Sequence, residues 1–264
     1  MEQHIVLTKG DGVARVTINR PEQRNPLTGQ MIALLLDFLA EVEGDRSIRC
    51  VVITGKGDHF CAGGDVKGMA EWIDNPPGAR AQVLEGKAAA VKPLVMLLER
   101  MPQIVLVSMR GAVAGGGMSL LGAADLAIAS ETAKFVLAQT NLGLVPDMGA
   151  TYFLARDVGL KRAKEIALLG GMIRASEALA MGLVNRVCAD DALEAETEAL
   201  VARIANGPMA LSQVKALINA SLNTTLSDQL DLEARALAAV GSSRDFAEGV
   251  HAFQERRAPR YTGE

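Results

Sequence analysis

Aromatic residues are scarce in this chain. They make up 3% of its 264 residues, with one Trp, two Tyr and six Phe. A hydrophobic core must therefore be filled by the aliphatic side chains that bring the apolar fraction to 49%. This apolar fraction excludes a disordered chain, and a length beyond about 150 residues allows one large domain with a smaller addition.

Cysteine, histidine and an excess of positive charge are also lacking. The three cysteines, Cys50, Cys61 and Cys188, lie in apolar segments, which predicts reduced thiols and a cytoplasmic location. The three histidines have no metal-ligand spacing, so no metal site is predicted. A net charge of −4 argues against a nucleic-acid partner.

Long apolar runs are missing as well. The longest uncharged apolar stretch, between Arg110 and Asp125, falls short of the ~18 residues that a membrane helix needs. The N-terminal segment lacks the apolar length of a signal peptide. We therefore expect no membrane span and no secretion signal.

The sequence does contain clear signals for strands and helices. Residues 5–20 predict a β-hairpin around a Lys-Gly-Asp-Gly turn, and residues 28–44 predict a helix capped by its threonine. Apolar strands are predicted at residues 48–54 and 104–108. Two prolines and a glycine at residues 74–78 predict an exposed loop.

Two of the apolar runs end in a glycine-rich turn that then opens a helix. The first covers residues 50–65, CVVITGKGDHFCAGGD, and the second covers residues 104–122, IVLVSMRGAVAGGGMSLLG. Glycine and alanine leave backbone N–H groups unobstructed, and a helix N-terminus directs such groups at negative charge. The pattern predicts that the two turns converge on one oxygen atom as an oxyanion hole.

The character of the chain changes near residue 189. Three successive helical patterns follow, and their apolar faces stay broad after the core should be complete. We predict a core over residues 1–188 and a helical oligomerisation region over residues 189–264. A helical cap on the core is the alternative interpretation.

Several segments together resemble the crotonase family, also called the enoyl-CoA hydratase/isomerase superfamily. They occur in the family's order at residues 19–27 (NRPEQRNPL), 60–69 (FCAGGDVKGM), 111–130, 133–159 and 175–187. The resemblance is closest in pattern to the enoyl-CoA isomerases of phenylacetate degradation. It implies an α/β fold, a crotonase-type spiral of ββα units with a C-terminal α-helical trimerisation region, and homotrimers that often pair into hexamers.

The resemblance also assigns a binding site for the CoA thioester. The family holds the thioester carbonyl in an oxyanion hole, and its two donors map onto the backbone N–H groups of Gly64 and Gly116. The thioester is the substrate, so no cofactor is expected. The substrate and CoA contacts that the resemblance implies are Arg24, Ala62, Asp65, Val66, Lys67, Ser119, Gln139 and Arg256, with the basic residues on the CoA phosphates.

Family hydratases use two glutamates, and both are replaced in this chain. Ser119 and Gln139 occupy the corresponding positions, and neither side chain can act as a general base at neutral pH. An ordinary two-glutamate hydratase is therefore not expected. We expect Ser119 to face the acyl pocket as a small residue, and Gln139 to orient substrate or water.

The segment offers one carboxylate instead, Asp147, where the resembling isomerases place an aspartate. Val145, Pro146 and Met148 are expected to shield it from water and so to raise its pKa. One carboxylate suffices for isomerisation, because it can remove a proton from one carbon and return it two carbons away. We therefore predict an enoyl-CoA isomerase with Asp147 as the proton shuttle.

Other interpretations remain open at this point. Water could be held by Gln139 and Asp147 for hydration, or the chain could bind acyl-CoA without chemistry. Attack of Asp147 on an aromatic acyl group, as in the family's dehalogenases, is disfavoured because Tyr152 and Phe153 are the only nearby rings. Asp147 could also simply be a turn residue or the N-cap of the following helix.

Overall fold

The computed structural model describes residues 4–263. Within this range the strands are β1 (Ile5–Gly10), β2 (Val13–Ile18), β3 (Cys50–Gly55), β4 (Ile104–Met109), β5 (Ala112–Ala114), β6 (Leu126–Ser130), β7 (Lys134–Val136), β8 (Ile173–Arg174) and β9 (Arg186–Cys188). The helices are α1 (Gly29–Gly44), α2 (Pro77–Arg100), α3 (Gly116–Gly122), α4 (Ala150–Val158), α5 (Leu160–Leu169), α6 (Ala175–Ala180), α7 (Leu193–Ala205), α8 (Ala210–Ser221), α9 (Leu226–Gly241) and α10 (Arg244–Glu255).

The strands form a large sheet and a small sheet. The large sheet has the order β1-β2-β3-β4-β6-β9, parallel from β2 onward, and the small sheet has the order β5-β7-β8. After β3 the chain makes a parallel bridge between Cys61 and Val113, which adds a residue pair beside β5. The chain thus passes repeatedly from the large sheet to the small sheet and then into a helix, which is a spiral of ββα units.

The large sheet is covered on both faces, which explains why β4 is buried along its whole length. Val105 and Val107 belong to the main core together with Leu97 of α2, whereas Leu106 packs with Leu200 of α7 in a second cluster. Alternate residues of one strand therefore enter different clusters. Because α7 covers one face of the sheet, the first helix after residue 188 packs directly on the strands that precede it. The predicted division into a core over residues 1–188 and a helical region over residues 189–264 stays a prediction.

The hairpin and the helix cap predicted from the sequence are present in the structure, whereas the predicted loop is partly wrong. The hairpin is confirmed as β1 and β2, and the Thr28 hydroxyl accepts from the Met31 N–H at 3.2 Å to start α1. The loop predicted at residues 74–78 is wrong at its end, because α2 begins at Pro77. Proline lacks only an N–H that the first turn of a helix leaves unpaired, so it starts a helix readily.

The last helices expose large apolar side chains to solvent. Leu226 and Leu237 of α9 are among them, and Phe253 of α10 is 86% exposed. Such faces are typical of interaction surfaces, although trimer or hexamer formation stays a prediction. Among residues 4–263, no helix combines the length and apolar character required to cross a bilayer.

A buried lysine ties the C-terminal helices to the sheet. The Lys215 ammonium on α8 lies 2.8 Å from the Asp125 carboxylate and donates to the carbonyls of Leu98 and Gln103 at 3.1 and 3.0 Å. Burial is the main influence on both groups: it raises the pKa of Asp125 and lowers the pKa of Lys215, toward their neutral forms. The charged form of Lys215 is therefore stabilised by Asp125, and the charged form of Asp125 by Lys215.

Replacing Lys215 by methionine should destabilise the protein strongly. Lys215→Met leaves the Asp125 carboxylate buried without its cation, which typically costs about 3–5 kcal/mol. Urea unfolding followed by circular dichroism measures the loss. Lys161→Met, on the exposed surface of α5, should change the free energy of unfolding by less than about 0.5 kcal/mol. Equal effects of the two substitutions would contradict this account.

Candidate active site

The first glycine-rich turn is held in place by the segment before α1. The Leu27 N–H donates to the Gly63 carbonyl at 2.8 Å, and the Asp65 N–H donates to the Leu27 carbonyl at 3.1 Å. These bonds flank Gly64, whose own N–H points to the opposite side of the extended backbone. Gly64 is exposed, and no acceptor among residues 4–263 bonds its N–H.

The second turn is shaped by three consecutive glycines. Gly115 has φ 48° and ψ −110°, a conformation that only glycine adopts readily, and its N–H donates to the Val136 carbonyl at 3.1 Å. A side chain at Gly117 would bring its Cβ within 2.7 Å of the Cys61 carbonyl oxygen. Gly116 begins α3, and within the described chain its N–H has no hydrogen-bond acceptor either.

The two turns are in direct backbone contact. A Cβ on Gly116 would lie 3.8 Å from the carbonyl carbon of Gly63, the atom bonded to the Gly64 nitrogen. A Cβ on Gly115 would lie 3.4 Å from the Gly63 Cα. Two unpaired N–H groups from separate loops therefore lie on neighbouring stretches of backbone, and an oxyanion hole needs two such donors close together. Their role as its donors stays a prediction.

Asp147 lies beside the second turn, on the loop before α4. The Gln139 amide donates to its Oδ1 at 3.3 Å, and the Ser119 hydroxyl donates to its backbone carbonyl at 3.1 Å. Met148 has the left-handed φ of 51°, and its sulfur would lie 3.6 Å from a Cβ on Gly116. The neighbours of Asp147 thus touch the same glycine turn as the candidate donor.

Two expectations about Asp147 are wrong. Its carboxylate is exposed in this chain and Val145 is 81% exposed, so the flanking residues do not shield it from water. Nor does Asp147 cap the next helix, because the N-cap of α4 is Gly149, in the left-handed conformation and with no side-chain hydrogen bond. Asp147 instead opens a turn in which the Ala150 N–H donates to its backbone carbonyl at 3.0 Å, and its side chain is exposed there.

The surroundings of Ser119 differ from those predicted, whereas the role predicted for Gln139 stays a prediction. Ser119 is only 1% exposed and its hydroxyl bonds the loop backbone, so it supports the Asp147 loop and does not face an acyl pocket. Gln139 lies over Gly115, since a Cβ there would be 3.8 Å from its Nε2. Its Oε1 is buried and has no hydrogen-bond partner among the described residues. That oxygen remains available to accept from a bound group.

The residues predicted to hold CoA fall into two places. Arg24 is exposed, and its carbonyl accepts from the Ala62 N–H at 2.9 Å, which puts it beside the first turn. Val66 and Lys67 are exposed on the same turn. Arg256 is exposed at the end of α10, a helix that packs against α9. Its contact with CoA stays a prediction.

Sequence reasoning missed Arg20 and assigned Asp65 incompletely. The Asp65 carboxylate accepts weakly from the Gly68 N–H at 3.4 Å, and it also pairs with the Arg20 guanidinium at 3.0 Å. Burial raises the pKa of Asp65, but the hydrogen bonds from Arg20 and from the backbone of Gly68 and Lys67 outweigh it and lower the pKa overall. The only signal was a cation within the NRPEQRNPL segment.

The thiol next to the two turns is chemically inert. Burial raises the pKa of Cys61 to about 12, and its sulfur accepts from the Gly63 N–H at 3.4 Å. The Cys61 sulfur therefore stabilises the first turn through this hydrogen bond and is not suited to act as a nucleophile. In the part of the chain described here, no three His, Cys, Asp or Glu side chains are grouped so that they could hold a metal ion.

Comparisons with known proteins match nearly the whole chain. Residues 8–264 match the family model described as enoyl-CoA hydratase/isomerase. The chain is 38% identical over 253 residues to 1,2-epoxyphenylacetyl-CoA isomerase of Escherichia coli K12, covering 96% of this chain and 95% of that protein. It is 39% identical over 255 residues to a Rhodobacter capsulatus protein named as a probable enoyl-CoA hydratase, with coverage of 96% and 95%.

Solved structures of this family share the fold. The crystal structure of enoyl-CoA hydratase from Bacillus anthracis has a TM-score of 0.91 and 31% identity, covering 99% of this chain and 100% of that chain. The predicted crotonase-type fold is therefore confirmed. The names of these similar proteins include both isomerases and hydratases.

An alanine at Gly117 should disturb the contact between the two turns. Gly117→Ala forces its Cβ against the Cys61 carbonyl, and overpacking of this kind typically costs about 1–3 kcal/mol. Gly171→Ala is the matched control, since no atom lies within 4 Å of its Cβ position. It should be neutral or stabilise by up to about 1 kcal/mol. Urea midpoints compare the two, and a neutral Gly117→Ala would show that the contact is loose.

Proposed function

Because this chain belongs to the enoyl-CoA hydratase/isomerase family, we propose that it is an enoyl-CoA isomerase that moves a double bond along the acyl group of a CoA thioester. The observation that carries the proposal is a single carboxylate, Asp147, beside two contacting glycine turns with unpaired N–H groups. The positions that would hold a hydratase's glutamates carry Ser119 and Gln139.

The thioester carbonyl is the group that the two turns bind. The N–H groups of Gly64 and Gly116 donate to its oxygen, and their hydrogen bonds strengthen as negative charge moves onto that oxygen. This makes the protons on the neighbouring carbon more acidic. Arg24 and Lys67 flank the first turn and attract the CoA phosphates, with Arg256 as a further candidate, while the backbone of residues 62–66 lines the thioester.

Asp147 carries the proton between two carbons. For a 3-enoyl-CoA, its carboxylate removes a proton from C2, and the electron pair of that C–H bond moves into a dienolate held by the two N–H groups. The protonated Asp147 then returns the proton to C4, and the double bond ends between C2 and C3. The Gln139 amide bonds Oδ1, which leaves Oδ2 for the proton. Nothing is gained or lost overall, so no cofactor is needed.

Hydration is the second candidate function. The buried Oε1 of Gln139, which has no donor among residues 4–263, could accept from a water molecule beside Asp147. Hydration still needs one group to activate water and another to protonate C2, and an amide does neither at neutral pH. Isomerisation needs only the carboxylate present. A chain that binds acyl-CoA without turnover is the third alternative.

Replacement of Asp147 by asparagine should abolish proton transfer while leaving binding intact. Asp147→Asn keeps the shape and the bond to Gln139 but removes the base, so turnover of 3-enoyl-CoA should fall by about 10²–10⁴. Ultraviolet absorbance of the conjugated product measures the rate, and calorimetry measures binding of a saturated acyl-CoA. Asp191→Asn, an exposed change away from the turns, is the control.

Mass spectrometry of the product separates the alternatives. Isomerisation leaves the mass unchanged, whereas hydration of a 2-enoyl-CoA adds one water. Binding without turnover in the unaltered protein would support the non-catalytic alternative. Normal turnover by Asp147→Asn would show that another group is the base.

Removal of the Gly64 donor should be far more damaging than a side chain at that position. Gly64→Pro has no N–H to offer, and loss of one oxyanion donor typically lowers kcat by about 10²–10³. Gly64→Ala keeps the N–H, and its Cβ would meet no atom within 4 Å. We expect a much smaller loss for the alanine variant. Equal losses in two variants that unfold at the same temperature would argue against Gly64 as the donor.

A further inference from the structure

The two candidate donors are held by different means. Gly116 is buried and wedged by neighbouring atoms, with the Leu27 side chain 3.3 Å and the Met148 sulfur 3.6 Å from its Cβ position. Gly64 is exposed, and no atom comes within 4 Å of its Cβ position. Packing therefore restrains the second donor, whereas the first donor depends on the bonds made by the residues on either side of it.

Asp65, the next residue in the chain, is held at both its backbone and its side chain. Its N–H donates to the Leu27 carbonyl, and its carboxylate receives the Arg20 guanidinium at 3.0 Å. The peptide that joins Gly64 to Asp65 is thus fixed at its far end. The Gly64 N–H belongs to the preceding peptide, whose Gly63 carbonyl accepts from the Leu27 N–H. A change in the position of Asp65 would therefore reach this N–H through the Gly64 Cα and through the Leu27 backbone that both bonds share.

Arg20 is itself unusually well anchored. Its side chain is 10% exposed, and it donates to the Pro26 carbonyl at 3.2 Å and to the Gln23 amide at 2.8 Å as well as to Asp65. Its backbone N–H donates to the side chain of Asn25, a fully buried residue. Asn25 in turn donates to the carbonyl of His59, just ahead of the first turn.

This arrangement is poorly explained by stability alone. Burying an ion pair costs desolvation that its attraction often fails to repay, and apolar residues of the same size usually stabilise as well. Here the Arg20 Nε is in addition buried with no partner among the described residues. The pair does fix the orientation of the Asp65 side chain, since a planar guanidinium holds the carboxylate that it bonds in a defined geometry.

We propose that Arg20 is a positioning residue of the reaction: through its ion pair with Asp65 it sets the direction of the Gly64 amide toward the thioester oxygen. The inference rests on the proposed function, because it assumes that Gly64 is a donor. Arg20 touches neither the substrate nor Asp147. It acts by keeping the first half of the oxyanion hole in place, and small misplacements of such groups lower rates strongly.

The test compares Arg20→Met with Arg15→Met. Arg15 also forms an ion pair, with Glu198 at 2.6 Å, but that pair is exposed and lies on β2 away from the turns. Arg20→Met should lower kcat for a 3-enoyl-CoA by about 10–100-fold and change KM by less than about threefold. Arg15→Met should match the unaltered protein. Lysine restores only a point charge, so Arg20→Lys should recover part of the loss.

A spectroscopic measurement separates positioning from folding. The infrared carbonyl band of a bound saturated acyl-CoA, labelled with ¹³C at the thioester carbonyl, moves to lower frequency as the oxygen is polarised. Arg20→Met should lose much of this shift while still binding the ligand. If that variant does not fold, Asp65→Asn, which keeps the side-chain shape, should lose the shift in the same way.

The outcomes distinguish this inference from the proposed function. Loss of the shift in Gly64→Pro but not in Arg20→Met or Asp65→Asn overturns the positioning role and leaves the oxyanion hole standing. An unchanged shift in Gly64→Pro overturns the donor assignment itself. If Arg20 acts through Asp65, the double variant Arg20→Met/Asp65→Asn should lose no more kcat than the worse single variant. Additive losses would contradict that route.

Discussion

Everything at the candidate site depends on backbone touching backbone. The chain after β3 and the chain after β5 approach so closely that a Cβ at Gly117 would lie 2.7 Å from the Cys61 carbonyl oxygen. A Cβ at Gly63 would lie 3.3 Å from the Ala114 carbonyl oxygen. Side chains at these positions would hold the turns apart, and two N–H groups from separate loops could not serve one oxygen atom. The glycines are therefore needed first because they let the two turns touch, and the proposed chemistry depends on that contact.

The spiral of strands makes this contact possible. Strands β3 and β4 are parallel neighbours in the large sheet, so both loops leave it at the same edge. The Cys61–Val113 bridge then aligns the two loops over a further residue pair. Since the large sheet is buried on both faces, the edge from which the loops emerge is rigid.

The acid–base side of the site is less enclosed than the donors. Asp147 is exposed in this chain, and its nearest polar partner is the Gln139 amide. Because a carboxylate surrounded by water is a weak base, the water must be displaced by whatever binds there. The acyl group of the substrate is the group that lies against Asp147 in the proposed reaction. The two halves of the site can differ in this way. The oxyanion donors must already be in position when the substrate arrives, whereas the carboxylate needs only to lie within reach of the bound acyl group, which removes its water.

The sequence by itself determined the local elements, the glycine turns and the family. The hairpin at β1–β2 and the Thr28 cap follow from turn and capping chemistry that acts within a few residues. Asp147, Gly64 and Gly116 could be named because they stand in motifs of fixed spacing. The end of the loop predicted at residues 74–78 was wrong, because proline occurs both in loops and at the first position of helices, and α2 begins at Pro77.

Only the tertiary structure decided how these pieces meet. The pairing of Arg20 with Asp65 joins residues 45 positions apart, and no periodicity encodes such a contact. The burial of Ser119 and the exposure of Asp147 likewise depend on how the loop before α4 passes over the second turn. The spacing of residues along the chain indicates which side chains and backbone groups a site could use. Their solvation and the direction of their bonds are set by neighbours that folding brings from elsewhere.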